Sequence, residues 1–311
     1  MELTLQTAPS QLLRLDIARL LISIVARDTV REVASLLEGT GIAVVPLKGV
    51  LLHATVYKDP TARPLSDVDI LVPAPMRRSA EDKLRLAGWR LVSSEASSSM
   101  FVKAERPLPL DLHFDLYSAR RYGPLAEELI GRATPDRTLF GAEVRLPQPN
   151  DVYAHLVGHF AKDRRDHRQP YSLLDFAAVA ERHDLDARVV ARHLDDNGLG
   201  RAARYSLSIA RDHAGDRFAA SVLAELRSDP LGERLSALAR FVVKYTNQPS
   251  KVAAIPGALL DRTLHDSMIS LATQTSSAAS RSLRRLRMVS RRGLDRLEPM
   301  SAPQLRRLPR N

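Results

Sequence analysis

The residues most able to do chemistry in this 311-residue sequence are aspartates spaced two apart within short apolar runs. The first run is Arg63-Pro64-Leu65-Ser66-Asp67-Val68-Asp69-Ile70-Leu71-Val72. Side chains alternate across a strand, so Asp67 and Asp69 share one face while Val68 and Ile70 take the other. Two carboxylates side by side repel unless a positive charge lies between them. A hard divalent cation with oxygen ligands, such as Mg²⁺, resolves that repulsion. A second run, Leu110-Asp111-Leu112-His113-Phe114-Asp115, repeats the device, with Asp111, His113 and Asp115 on one face. If the two strands are neighbours, Asp67, Asp69 and Asp111 converge. Asp115 reads as the strand's exit residue and stays outside the metal set.

The elements that must position these groups follow from periodicity. Leu13, Ile17, Leu20 and Ile24 recur at helical spacing, which predicts an amphipathic helix over residues 10–38, stopped by Gly39 and Gly41. Ile42 to Leu47 reads as a buried strand. The Lys48-Gly49 turn follows, then a helix over Val50 to Tyr57. Asp59-Pro60 and Arg63-Pro64 mark a loop before the strand Asp67 to Val72. A helix over Met76 to Ala87 ends at Gly88, and Trp89–Val92, Met100–Val102 and Leu110–Leu116 are strand candidates. Beyond Pro147–Asn150 the pattern turns helical: Asp151–Asp163 with Asn150 as N-cap, then Tyr171–Arg182, Asp186–Asp196, Leu199–His213 and Leu231–Tyr245. The expected class is α+β. A small mixed sheet with flanking helices fills residues 1–149, an all-helical part residues 150–265, and a flexible Arg-rich tail residues 266–311.

A Lys-Gly turn after a strand, an Arg, Asp-x-Asp, then an Asp-Leu-His strand some forty residues on resembles the nucleotidyltransferases of the polymerase β superfamily. The similarity is to a bacterial subgroup with a Leu-Lys-Gly motif, and it spans roughly residues 40–180. The resemblance implies a two-metal site. Asp67 and Asp69 would hold two Mg²⁺ ions that bridge a nucleoside triphosphate; Asp111 would ligate the second metal and help deprotonate an acceptor hydroxyl. Lys48, Gly49 and Arg63 would bind the nucleotide. The superfamily usually carries Gly-Ser where this chain has Lys48-Gly49, so the lysine supplies positive charge in place of a hydroxyl. Read from the residues alone, Arg63 is equally a structural partner of Asp59 or Asp67. His113 can orient Asp111, contact a base or pack at the sheet edge. His155 and His159, four apart on one helix, lack the Glu of a metalloprotease motif, since Leu156 stands there, and they read as half-buried histidines; the resemblance adds a substrate contact by His159 as a secondary expectation. Asp175 is a lone acid among apolar helix residues. Asp163 to Arg168 reads as a solvated mixed-charge segment.

Composition excludes much else. With no cysteine, a thiol nucleophile, a disulfide scaffold and a Cys-ligated metal are ruled out. Walker, Gly-x-Gly-x-x-Gly and Gly-x-Ser-x-Gly motifs are missing. Of the formal charge of +10, +8 falls in residues 281–311, which contain ten arginines. The charge therefore argues for an attachment to RNA or to an anionic surface, not for the reaction. The longest early apolar run, Leu20 to Ala26, is too short to span a bilayer. The absence of a signal peptide points to the cytoplasm, and the excess of Arg over Lys, 39 to 7, looks bacterial. The expected activity is Mg²⁺-dependent transfer of an NMP group to a hydroxyl of a small-molecule or peptide/protein acceptor. Two alternatives stand beside it: a tRNA-modifying or toxin-type nucleotidyltransferase that uses the tail, and a degenerate protein that binds nucleotide or a partner without turnover.

Overall fold

The structure, a computed structural model, describes residues 9–117, 125–163 and 170–245. The expected tail 266–311 with its Arg-rich stretch, residues 246–265 of the expected helical part and residues 164–168 of the mixed-charge segment lie outside the described residues. The α+β class is as expected. Its centre is a five-stranded mixed sheet in the order β1-β2-β5-β4-β3. The strands are β1 (Val45–Pro46), β2 (Val68–Leu71), β3 (Arg90–Ser94), β4 (Ser98–Val102) and β5 (Leu110–His113). β2 and β5 run parallel; the other pairs are antiparallel, with a bulge between Leu91 and Ser93. A parallel pair needs a long crossover, and here α3 (Arg77–Leu86) and the β3–β4 hairpin supply it.

β2 is covered on both faces, which explains why it reads as almost continuously apolar. Val68 and Ile70, with Leu110 and Leu112 of β5, pack in a core shared with Ala26, Val30 and Val33 of α1 (Pro9–Leu37) and with Leu84 of α3. On the opposite face Leu71 joins Leu47, Leu51 and Leu52 in a second core. That core continues into α5 (Pro149–Asp163) and α6 (Pro170–Arg182) through Tyr153, Val157, Phe160 and Phe176. The sheet therefore has α1 and α3 behind it and the helical part in front. The aspartates at alternate positions of β2 and β5 open toward the front.

Several expectations need adjustment. The stripe Ile17, Leu20 and Ile24 is 50%, 42% and 54% exposed, while Ala26, Val30, Val33 and Leu37 are buried. A 29-residue helix is ~44 Å long, whereas five strands span only ~20 Å, so the helix outruns the sheet that buries it. α5 begins at Pro149, with Gln148 O accepting from Val152 N, so Asn150 lies inside the helix and is not its cap. Proline is well suited to that first helical position. α4 (Leu125–Arg132), the hairpin β6 (Thr134–Asp136)–β7 (Val144–Leu146) and α9 (Arg217–Glu225) are additional elements. The remaining helices are α7 (Ala187–Asp196), α8 (Gly200–Ala214) and α10 (Pro230–Tyr245), close to their expected bounds. At α7 the cap is Asp186, whose carboxylate accepts from Val189 N.

Candidate active site

The first site element is the turn between β1 and α2 (Lys48–Thr55). Lys48 opens the helix with φ +46°, in the left-handed region that a non-glycine residue seldom occupies. Gly49 follows, and a Cβ there would lie 2.5 Å from both Arg63 Nη1 and Leu65 Cδ2. Glycine is required for that close approach.

β2 and β5 supply the acids. Their register sets Asp69 directly opposite Asp111. Asp69 is buried. Its Oδ1 accepts from Lys48 Nζ at 2.6 Å and from His113 Nε2 at 2.8 Å. The same His113 Nε2 stands 3.1 Å from Asp111 Oδ2. Burial alone would raise the pKa of Asp69, but the Lys48 ammonium and His113 hold it well below the ordinary value. Asp111 is lowered too: His113 outweighs burial and the repulsion from Asp69. For Lys48 burial pulls down, and Asp69, Asp67 and Asp111 together keep it above the usual lysine value. Asp67 differs, its pKa being raised by burial and then by Asp69; Ser66 Oγ donates to its Oδ1 at 3.0 Å.

One ligand atom from each of Asp69, Asp111 and His113 lies within 4.8 Å of the others, an arrangement that can hold a metal ion. Two carboxylates and an imidazole suit a divalent cation with oxygen and nitrogen ligands. Asp67, expected in this set, stands just before β2 and lines the same cavity without joining the three-residue cluster. His113, read from the sequence as able to orient Asp111, contact a base or pack at the sheet edge, stands between Asp69 and Asp111.

A cavity of about 330 Å³ fronts the cluster. Lys48, Gly49, Arg63, Asp67, Asp69, Asp111 and His113 line it from the sheet side, and His159, Lys162 and Tyr171 from α5 and α6. His159 is therefore in the cavity. His155 is buried beneath it, its ring 5.9 Å from that of His159. Burial, then the Lys48 charge, pushes both imidazoles well below the usual histidine pKa, so they are neutral.

Arg63 lines the cavity, but its partner is neither Asp59 nor Asp67. Its Nε donates to both carboxylate oxygens of Asp175 on α6 at 2.9 Å. Tyr57 Oη donates to Asp175 Oδ1 at 2.6 Å. Burial raises the pKa of Asp175 against the pull of Arg63 and Tyr57. The carbonyl of Arg63 accepts from His53 Nε2 at 2.7 Å, and Ser23 Oγ meets the other ring nitrogen at 3.0 Å. An acid on an apolar helix face was the sequence signal for Asp175; nothing in the sequence marked Tyr57, Lys162 or Tyr171.

A family model described as "uncharacterised nucleotidyltransferase" matches residues 10–215. No curated protein matches the chain. Among solved structures, the chain is similar to an antigenic nucleotidyltransferase-like protein from Paracoccidioides brasiliensis, at 16% identity and a TM-score of 0.44. That similarity covers 65% of this chain and 94% of the other.

Proposed function

Because residues 10–215 place this chain in the uncharacterised nucleotidyltransferase family, we propose that it is a Mg²⁺-dependent nucleotidyltransferase of polymerase β type. It moves an NMP group from an NTP to a hydroxyl of a small-molecule or peptide/protein acceptor. The observation that carries this reading is the in-register pair Asp69 and Asp111, facing a cavity that also presents Lys48 and Arg63.

Asp69 and Asp111 would hold the cation, with Asp67 reaching it from the loop before β2, and His113 keeps the first two carboxylates aligned. When bound, Mg²⁺ neutralises charge on the triphosphate and on the entering and leaving oxygens. Arg63 offers its remaining guanidinium N–H groups to phosphate while Asp175 fixes the Nε edge. The N-terminus of α2 at Gly49 favours an anion at the same place. Asp111 accepts the proton of the acceptor hydroxyl; the new O–P bond forms at the α-phosphorus, and the bond to the β-phosphate oxygen breaks. Pyrophosphate leaves. The described helices of residues 150–163 and 170–245 close the cleft, with His159, Lys162 and Tyr171 meeting the nucleotide or acceptor. Among the described residues no helix is long and apolar enough to cross a membrane, and we place the reaction in the cytoplasm. Residues 281–311, carrying +8, serve as an accessory contact to RNA or an anionic surface.

One observation favours a second reading: Lys48 already neutralises Asp69, as in a protein that binds nucleotide without turnover. Incubation with Mg²⁺ and each NTP, together with a pool of small hydroxyl compounds and peptides, separates the two. Turnover predicts pyrophosphate release that disappears in Asp69→Asn and Asp111→Asn. Tight NTP binding with no release by the wild type would favour the second reading.

A further inference from the structure

Asp69 Oδ1 has two protein donors, Lys48 Nζ at 2.6 Å and His113 Nε2 at 2.8 Å. A carboxylate oxygen offers about two lone-pair directions, so this one is filled without a metal. The lysine is not a loose surface side chain. Its side chain is 13% exposed, its backbone is held at φ +46°, and the next residue is packed against Arg63 and Leu65. A left-handed backbone at a non-glycine residue is disfavoured and persists where the surroundings over-determine it. Here it aims an ammonium group at Asp69, with Asp67 and Asp111 close enough to act on its charge. Those three carry a formal charge of −3; Lys48 and one divalent cation sum to +3.

We propose that Lys48 is a built-in cation that takes the place of one of the two metal ions, so that the site works with a single divalent cation. This rests on the nucleotidyltransferase reading and replaces the two-ion arrangement implied by sequence resemblance. Lys48 is then committed to Asp69, and phosphate recognition falls to Arg63 and the α2 N-terminus.

Two metal ions held ~4 Å apart between shared oxygens give a spin-coupled Mn²⁺ spectrum, and a lone ion gives an uncoupled six-line spectrum. The test is electron paramagnetic resonance of the full chain with Mn²⁺ and the α,β-methylene analogues of ATP, CTP, GTP and UTP in turn, with bound Mn²⁺ counted after dialysis. The wild type and Lys48→Arg are expected to bind one uncoupled Mn²⁺ per chain. Lys48→Met, and Lys48→Gln as a second uncharged variant, are expected to bind two, with the coupled signature. A coupled pair in the wild type overturns the inference and leaves the nucleotidyltransferase reading standing. A single ion in folded uncharged variants also overturns it. A wild type that binds neither Mn²⁺ nor any analogue overturns both. If neither uncharged variant folds, the wild-type spectrum alone decides.

Discussion

Asp69 and Asp111 stand directly opposite each other on parallel neighbouring strands, and one imidazole nitrogen, His113 Nε2, lies within 3.1 Å of both. The pair is fixed by the ladder between β2 and β5, so its separation does not depend on loop conformation. Rigid carboxylates that face a cavity are what a metal-assisted transfer requires. Asp69→Asn and Asp111→Asn should each lower pyrophosphate release by ~10²-fold or more, and Asp69→Asn should also lower the melting temperature because it leaves the buried Lys48 ammonium without its carboxylate. A loss of threefold or less in either variant, measured at saturating Mg²⁺, would remove that residue from the catalytic set.

Asp175 acts through Arg63. With Asp175→Asn the guanidinium loses its charged anchor and its preset orientation. The expected result is a roughly tenfold higher KM for the NTP with kcat changed much less, the pattern of lost ground-state binding. A fall in kcat at constant KM would place Asp175 elsewhere in the mechanism.

Gly49→Ala would bring a Cβ to 2.5 Å from Arg63 Nη1 and Leu65 Cδ2. Arg63 cannot swing aside without leaving Asp175, so the variant should lose about 1–3 kcal/mol of stability and bind NTP more weakly. Urea unfolding and equilibrium dialysis read the two effects separately. Unchanged values in both would show that the turn can relax freely.

Behind the sheet, Glu32 accepts from Lys103 Nζ at 2.7 Å, from Trp89 Nε1 at 3.1 Å and from Arg106 Nη2 at 2.6 Å. Burial opposes ionisation, yet these donors hold its pKa below the ordinary 4.5. The unfolded chain therefore binds protons more readily, and stability rises with pH in this range. The contribution is complete above the unfolded value and is lost as pH falls through the lower folded value. Glu32→Gln should be about 2 kcal/mol less stable than wild type near neutral pH, with the gap narrowing in acid below 4.5. A gap of constant size across that range would mean that the ion pairs contribute nothing that titrates.

The acidic register was legible because period-two alternation within two apolar runs leaves the aspartates only one shared face. Of the partners of those aspartates, His113 was legible, since it shares the face of Asp111; the distant ion pairs of the site were not. Lys48 and Asp69 are 21 residues apart, and Arg63 and Asp175 are 112 apart; local periodicity carries no signal for either pair. Arg63 looked like a partner of nearby acids because sequence distance favours Asp59 and Asp67. The strand, however, begins at Val68, so Asp67 sits on the loop side with its own partner, Ser66. The α1 stripe failed for a different reason. Helical spacing identifies an apolar face without saying how much of it a sheet of limited width can cover. The short β6–β7 hairpin has three residues per strand, too few for alternation to register.

The central claim is that the group transferred is the nucleotide and not a phosphate. The most direct measurement follows two labels through one reaction, NTP labelled at the α-phosphate and NTP labelled at the γ-phosphate, with Mg²⁺ and the acceptor pool. α-Label is expected on the acceptor, γ-label only in released pyrophosphate, and neither product with Asp69→Asn. γ-label appearing on the acceptor, or α-label transfer that survives Asp69→Asn, would contradict it.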